Sequence, residues 1–205
     1  METRVNENLW KFGAELGVVS PAFQDPSVIA MQWLFVSIFA LSAVVTTALK
    51  LRASPYFLSS LPLLALASHQ VEEYLVSPLI LGAEYHFLNW AFDAGFYIPA
   101  ASVVAVNLLG YAGTTALYLC KPSSLAFVLV FMFINAMSFA NGMFHIGIAT
   151  LQSSYSPGAI TALVVYMPLY LKSVAIAFEH DISFKKIYGL TCYGFIAHFL
   201  LLWLI

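Results

Sequence analysis

Six apolar stretches follow one another along this chain, at 28–49, 57–81, 96–120, 125–150, 157–178 and 187–205. A helix needs about 20 such residues to cross the hydrocarbon core of a bilayer. Inside lipid the backbone finds no water to bond, so a segment of this kind must close its hydrogen bonds internally. The pattern predicts an all-α, polytopic membrane bundle of about six transmembrane helices. Charge usage agrees. Of the 205 residues 9% are charged, against about 25% in a soluble domain. A net charge of −2 offers no basic surface to a nucleic acid.

Connections between the stretches are short, so residues 28–205 read as a single transmembrane domain. Residues 1–27 are mixed and polar, unlike a cleavable secretory signal. They form either a short interfacial helix, with Leu9, Trp10, Phe12, Leu16 and Val18 on its apolar side, or a flexible tail. Internal repeats of the transporter kind are absent. One side of the predicted membrane collects Lys50, Arg52, Lys121, Lys172, Lys185 and Lys186, and the other Arg4 and Lys11. Cytoplasmic loops carry the excess of cations, which predicts that both termini are non-cytoplasmic. Cys120 and Cys192 lie in apolar spans without metal-type spacing and read as small core residues.

Against this background the run His69-Gln70-Val71-Glu72-Glu73 stands out. A carboxylate within the bilayer costs several kcal/mol unless it is partnered, so ionisable groups there are functional candidates. Residues three and four apart share a helix face, which aims His69, Glu72 and Glu73 into one sector. Asn141 and His145 form a second polar stripe, four apart, in the fourth span. Two imidazoles, two carboxylates and an amide suit a divalent metal such as zinc or iron held between facing helices. His69, Glu72, Glu73 and His145 are the candidate ligands. Glu72, Glu73, Asn141 and Tyr155 are the candidate catalytic groups. The competing readings are metal-free acid–base work by a Glu and a His, and interhelical hydrogen bonding without chemistry.

The predicted outer connections add secondary candidates. The segment 82–95 carries Glu84, His86, Trp90 and Asp93 among aromatic residues. It is either an interfacial aromatic belt or a lid that lends His86 or Asp93 to the metal. Ser156-Pro157 has the form of a helix start, Ser at the N-cap and Pro at the first helical position. His180 reads as solvated and His198 as a packing residue. Pro62 is a possible local break in the second span.

Three signatures stand in order: His69-x-x-Glu72-Glu73, Asn141-x-x-x-His145 and Tyr155-Ser156-Pro157-Gly158. Together they resemble the HXXEE family of small integral membrane proteins, known also for NXXXH and YSPG motifs, over roughly residues 57–175. The resemblance implies that these residues form one site and that enzymatic activity is to be expected, with no reaction assigned. The leading expectation is an integral membrane enzyme, metal-dependent, acting on a lipid or other apolar substrate from the non-cytoplasmic half of the bilayer. Hydrolysis, oxidation and isomerisation are all open. A proton-coupled transporter or proton pathway, and an accessory membrane subunit, are the alternatives; oligomeric state is not readable.

Overall fold

The computed structural model describes residues 25–93, 95 and 98–203. The interfacial helix or tail expected over 1–24 lies outside them. Seven helices follow. Helix α1 is Pro26–Leu51. Helix α2 runs from Phe57–Val71 through a π turn, Glu72–Val76, into Ser77–Leu81. Short α3 is Phe87–Asp93. The remaining four are α4 Ala100–Leu119, α5 Leu125–Gln152, α6 Ala159–Glu179 and α7 Phe184–Trp203.

Five of these, α1, α4, α5, α6 and α7, are long and apolar enough to cross a membrane. Helix α2 has the length, but the polar run from His69 to Glu73 makes it less apolar than the other long helices. Large apolar side chains face outward: Leu51, Leu119, Leu151 and Trp203 are all more than 80% exposed. Among polar surroundings that pattern would be unfavourable, and against lipid it is the ordinary one.

The ends of the helices follow from local chemistry. Asp25 caps α1, its carboxylate accepting from Ser27 N–H at 2.8 Å, with Pro26 in the first turn. Ser124 caps α5 by accepting from Phe127 N–H at 3.1 Å. Ser153, with φ of 50°, ends α5 in the left-handed conformation. Pro62 lies inside α2 without breaking it.

Helix α5 is the hub. It packs against α7 and α6, and α1, α2 and α4 pack together on the other side. Phe127, Val128, Phe131 and Met132 of α5 join Leu117, Tyr166, Leu169, Ala177 and Ile187 in one core. Val28, Met31, Phe35, Ala67, Tyr74, Val103 and Tyr111 form the second. Close approach of α5 and α7 rests on Gly194, where a Cβ would meet Ala136 at 2.6 Å.

Both helices that flank the polar site contain a π turn with a proline just beyond it. In α2 the turn Glu72–Val76 is followed by Ser77-Pro78, and in α6 the turn Ala162–Tyr166 is followed by Met167-Pro168. Proline has no N–H and its ring crowds the carbonyl four residues back. Widening the preceding turn relieves that crowding. At Pro78 the carbonyl left without its usual donor is that of Tyr74, and Gln32 Nε2 of α1 donates to it at 2.8 Å. Glu73 lies within the first of these turns and Tyr166 within the second, and both are buried.

Candidate metal centre

Two polar stripes meet where α2, α5 and α6 converge. His69, Glu73 and His145 are all buried, each less than 5% exposed. Nε2 of His145 lies 3.2 Å from Glu73 Oε1, and Nε2 of His69 lies 3.4 Å from that same oxygen. The two imidazole rings stand 4.9 Å apart at 74°. One ligand atom from each of the three lies within 4.8 Å of the others.

The distances suit coordination. Zinc binds nitrogen and oxygen at about 2.0–2.2 Å, which puts neighbouring ligands of a tetrahedral site about 3.3–3.5 Å apart. The separation from His69 falls within that spacing, the one from His145 lies 0.1 Å below it, and both are long for charge-assisted hydrogen bonds. The far nitrogens are held as well. His69 Nδ1 is 2.7 Å from Thr161 Oγ1, and His145 Nδ1 is 3.1 Å from Ser156 Oγ. Thr161 O–H donates to the Gly158 carbonyl, so its oxygen is the acceptor for His69 Nδ1–H. That leaves the Nε2 lone pair of His69 directed at the interior. Orienting a ligand imidazole through its other nitrogen is the usual support of a metal site.

Asn141 donates from Nδ2 to His69 Nε2 at 2.8 Å. Its amide therefore sits where a metal would compete for the same lone pair. Tyr166 closes the wall beside His69, their rings 4.8 Å apart.

Glu72 has a different task from Glu73. Its Oε1 accepts from Tyr155 O–H at 2.5 Å and from Ile160 N–H at 3.0 Å, and its Oε2 accepts from Thr161 N–H at 2.6 Å. Those two amides belong to the first turn of α6, whose N–H groups have no partners within the helix. A carboxylate there is favoured by the helix dipole. The expected convergence of His69, Glu72 and Glu73 on one point thus holds for His69 and Glu73. Glu72, one residue before Glu73, turns about 100° around the helix and clamps α6 instead.

The segment Tyr155–Gly158 holds the site from the other side. The expected helix start at Ser156-Pro157 is corrected: α6 begins at Ala159, and Gly158 occupies the N-cap with φ of 92°. Ser156 is fully buried and bonds His145 instead of capping. The cap comes from Glu72. Gly158 is there for space, because a Cβ on it would run into the His69 ring at Cε1. Tyr155 bonds Glu72 and Ser77 Oγ, the latter at 2.9 Å, and so braces the clamp without touching Glu73.

Of the secondary candidates, His86 is buried against Tyr74, ring centroids 5.4 Å apart. It is not part of the ligand trio. Burial pushes its imidazole down to about 4. Asp93 is exposed at the end of α3. Burial and then the Glu84 carboxylate raise its pKa, and it is also outside the trio. The segment 82–93 folds as a cap over the site. Phe87 of α3 packs on Tyr74 at 5.8 Å and on His145 at 6.1 Å.

Thr161 and Tyr166 are site residues that the sequence reading does not single out. Ser156 belongs to the YSPG segment, which reads as a helix start until the α2 carboxylate is placed opposite it.

Beside the trio lies a cavity of about 450 Å³. Glu73, Asn141 and His145 line one side, and Leu66, Val103, Phe133, Ile134, Met137 and Phe144 are among its apolar walls. The volume is that of a small-molecule site.

A family model described as a protein of unknown function with HXXEE motif matches residues 60–172. No curated protein matches this chain. No solved structure matches it.

Proposed function

The chain belongs to the family of proteins of unknown function with an HXXEE motif, and from that premise we propose an integral membrane metalloenzyme acting on a lipid or other apolar substrate. The observation that carries the reading is the meeting of two imidazole Nε2 atoms on one Glu73 oxygen, at 3.2 and 3.4 Å, beside an apolar cavity. Two histidines and one carboxylate are the ligand set of catalytic zinc sites and of mononuclear non-haem iron alike. Such a set leaves coordination positions for water or substrate. Within the proposal His69, Glu73 and His145 hold the ion, and Asn141 orients what binds beside it.

A bound divalent ion would supply Lewis acidity or a water of lowered pKa. The protein's own part is separate from that. Thr161 and Ser156 fix the two rings, Glu73 balances charge, and the apolar walls keep bulk water away. Glu72 and Tyr155 hold the first turn of α6, and with it Thr161, against His69. Six spans with both termini and the site on the non-cytoplasmic side complete the proposal. The clustering of Lys50, Arg52, Lys121, Lys185 and Lys186 at one set of helix ends supports that orientation.

A metal-free acid–base enzyme is the second reading, favoured by the Asn141 N–H that already occupies the His69 lone pair. Purified protein in vesicles made from a membrane lipid extract, with the lipids followed by mass spectrometry, tests both. The proposal expects an apolar species to be consumed, and a chelator or Glu73→Gln to stop it. Turnover that survives chelation with no metal bound selects the acid–base reading. An unchanged lipid pool with metal-loaded protein contradicts both.

A further inference from the structure

Of the side chains lining the cavity, Glu73 is the one that carries a formal charge, and its Oε1 already faces both imidazoles. No Lys or Arg is among the lining residues. The ion proposed above would be balanced in part by Glu73, and an anionic head group placed there would find no cationic side chain beside it. The side chains of the cavity wall therefore favour an uncharged end.

Two polar side chains in its wall are nevertheless left over. Gln70 of α2 is 4% exposed and His198 of α7 is 8% exposed. Neither Gln70 Oε1 nor His198 Nε2 has a hydrogen-bond partner among the described residues. Buried polar atoms are nearly always bonded, and a pair of unbonded ones lining the same cavity calls for a ligand. Gln70 Oε1 accepts, and His198 Nε2 accepts or donates according to tautomer. A hydroxyl group, which does both, satisfies either atom.

The cavity also reaches lipid. Its walls include Leu109, which is 58% exposed, and the exposed Gly113 of α4, with Leu201 and Leu202 of α7 opposite. Helix α4 packs on α1 and α2, and α7 packs on α5 and α6. The mouth thus lies between two helices held by different neighbours, facing the bilayer.

Deepening the reading above, on which it rests, we propose that this cavity takes an uncharged alcohol from the bilayer, its hydroxyl recognised by Gln70 or His198. At roughly 30 Å³ per non-hydrogen atom, the share of one water in the liquid, about 450 Å³ holds about fifteen such atoms. That is the size of a twelve- to fourteen-carbon alcohol.

Photolabelling in nanodiscs tests this, using a diazirine-bearing tetradecanol and, in parallel, the tetradecanoic acid with the same diazirine. The proposal expects the alcohol to label peptides from α4 and α7 around Leu109 and Leu201, with unlabelled tetradecanol competing and the acid labelling weakly. Loss of one hydrogen bond corresponds to a roughly two- to tenfold loss of affinity, so at least one of His198→Phe and Gln70→Leu should weaken labelling by about that factor. Leu109→Trp, which fills the mouth and leaves both polar groups in place, should block it. Equal labelling by the acid, or labelling that ignores all three substitutions, overturns the proposal. Glu73→Gln separates the two readings: alcohol labelling that persists while bound metal is lost keeps the pocket assignment independent of the metal centre. If wild type binds no metal but labels as described, the metalloenzyme reading fails and the alcohol site stands.

Discussion

At the scale of single residues, neighbours in sequence divide the work. Glu72 and Glu73 are adjacent and similarly buried, yet one accepts from the Tyr155 hydroxyl and from two amides that begin α6, and the other faces two imidazoles. Their neutral variants should therefore differ. Glu72→Gln keeps the shape but weakens the cap, and should lower stability by about 1–2 kcal/mol, as other lost N-caps do. Thermal unfolding in detergent reads that loss, and bound metal should remain. Glu73→Gln should leave the unfolding temperature of metal-free protein within a few degrees and remove the metal. Gly158→Ala tests the backbone. A left-handed position costs a non-glycine residue about 1–3 kcal/mol, and the added carbon would push His69 from its place. Metal affinity should fall by at least tenfold in that variant, read by competition with a chelating dye.

At the scale of elements, the polar stripes on α2 and α5 were legible because helical periodicity is strong over long apolar runs. What periodicity could not supply was the π turn. The sector predicted for His69, Glu72 and Glu73 already spans about 100° between the two carboxylates, and the structure gives Glu72 to α6 while Glu73 faces the imidazoles. The two prolines, Pro78 and Pro168, were the local sign that each helix had to widen. The start of α6 was misplaced for a different reason. Ser156-Pro157 carries the local chemistry of a cap, but the group that caps Ile160 comes from 88 residues earlier. No local reading contains that information. The cap formed by α3 gives a pH dependence at this scale. His86 is held neutral by burial, with its pKa lowered from 6.5 to about 4. Between those values the unfolded segment binds a proton that the folded one does not, so acidification from pH 7 to pH 5 destabilises the cap. Hydrogen exchange in 82–93, corrected for intrinsic rates, should quicken over that range in wild type and change less in His86→Phe.

At the scale of the whole molecule, the bundle inverts the usual distribution: large apolar groups outside, a charged cluster within. The all-α class and membrane-length helices were readable from composition and run length alone. The position of the cavity was not, because it depends on α4 and α7 being held by different neighbours. That arrangement follows from packing at places such as Gly194 against Ala136, which carry no distinctive sequence signal.

The central claim is that His69, Glu73 and His145 hold one ion together. Metal content and X-ray absorption on the purified full chain address it directly. The account predicts about one zinc or iron per chain, with two imidazole nitrogens and a carboxylate oxygen at about 2.0–2.2 Å, and near-complete loss of the ion in His145→Ala. A wild-type protein that binds no divalent ion after expression and titration with both metals, or a His145→Ala variant that retains the same ion in the same coordination, would contradict it.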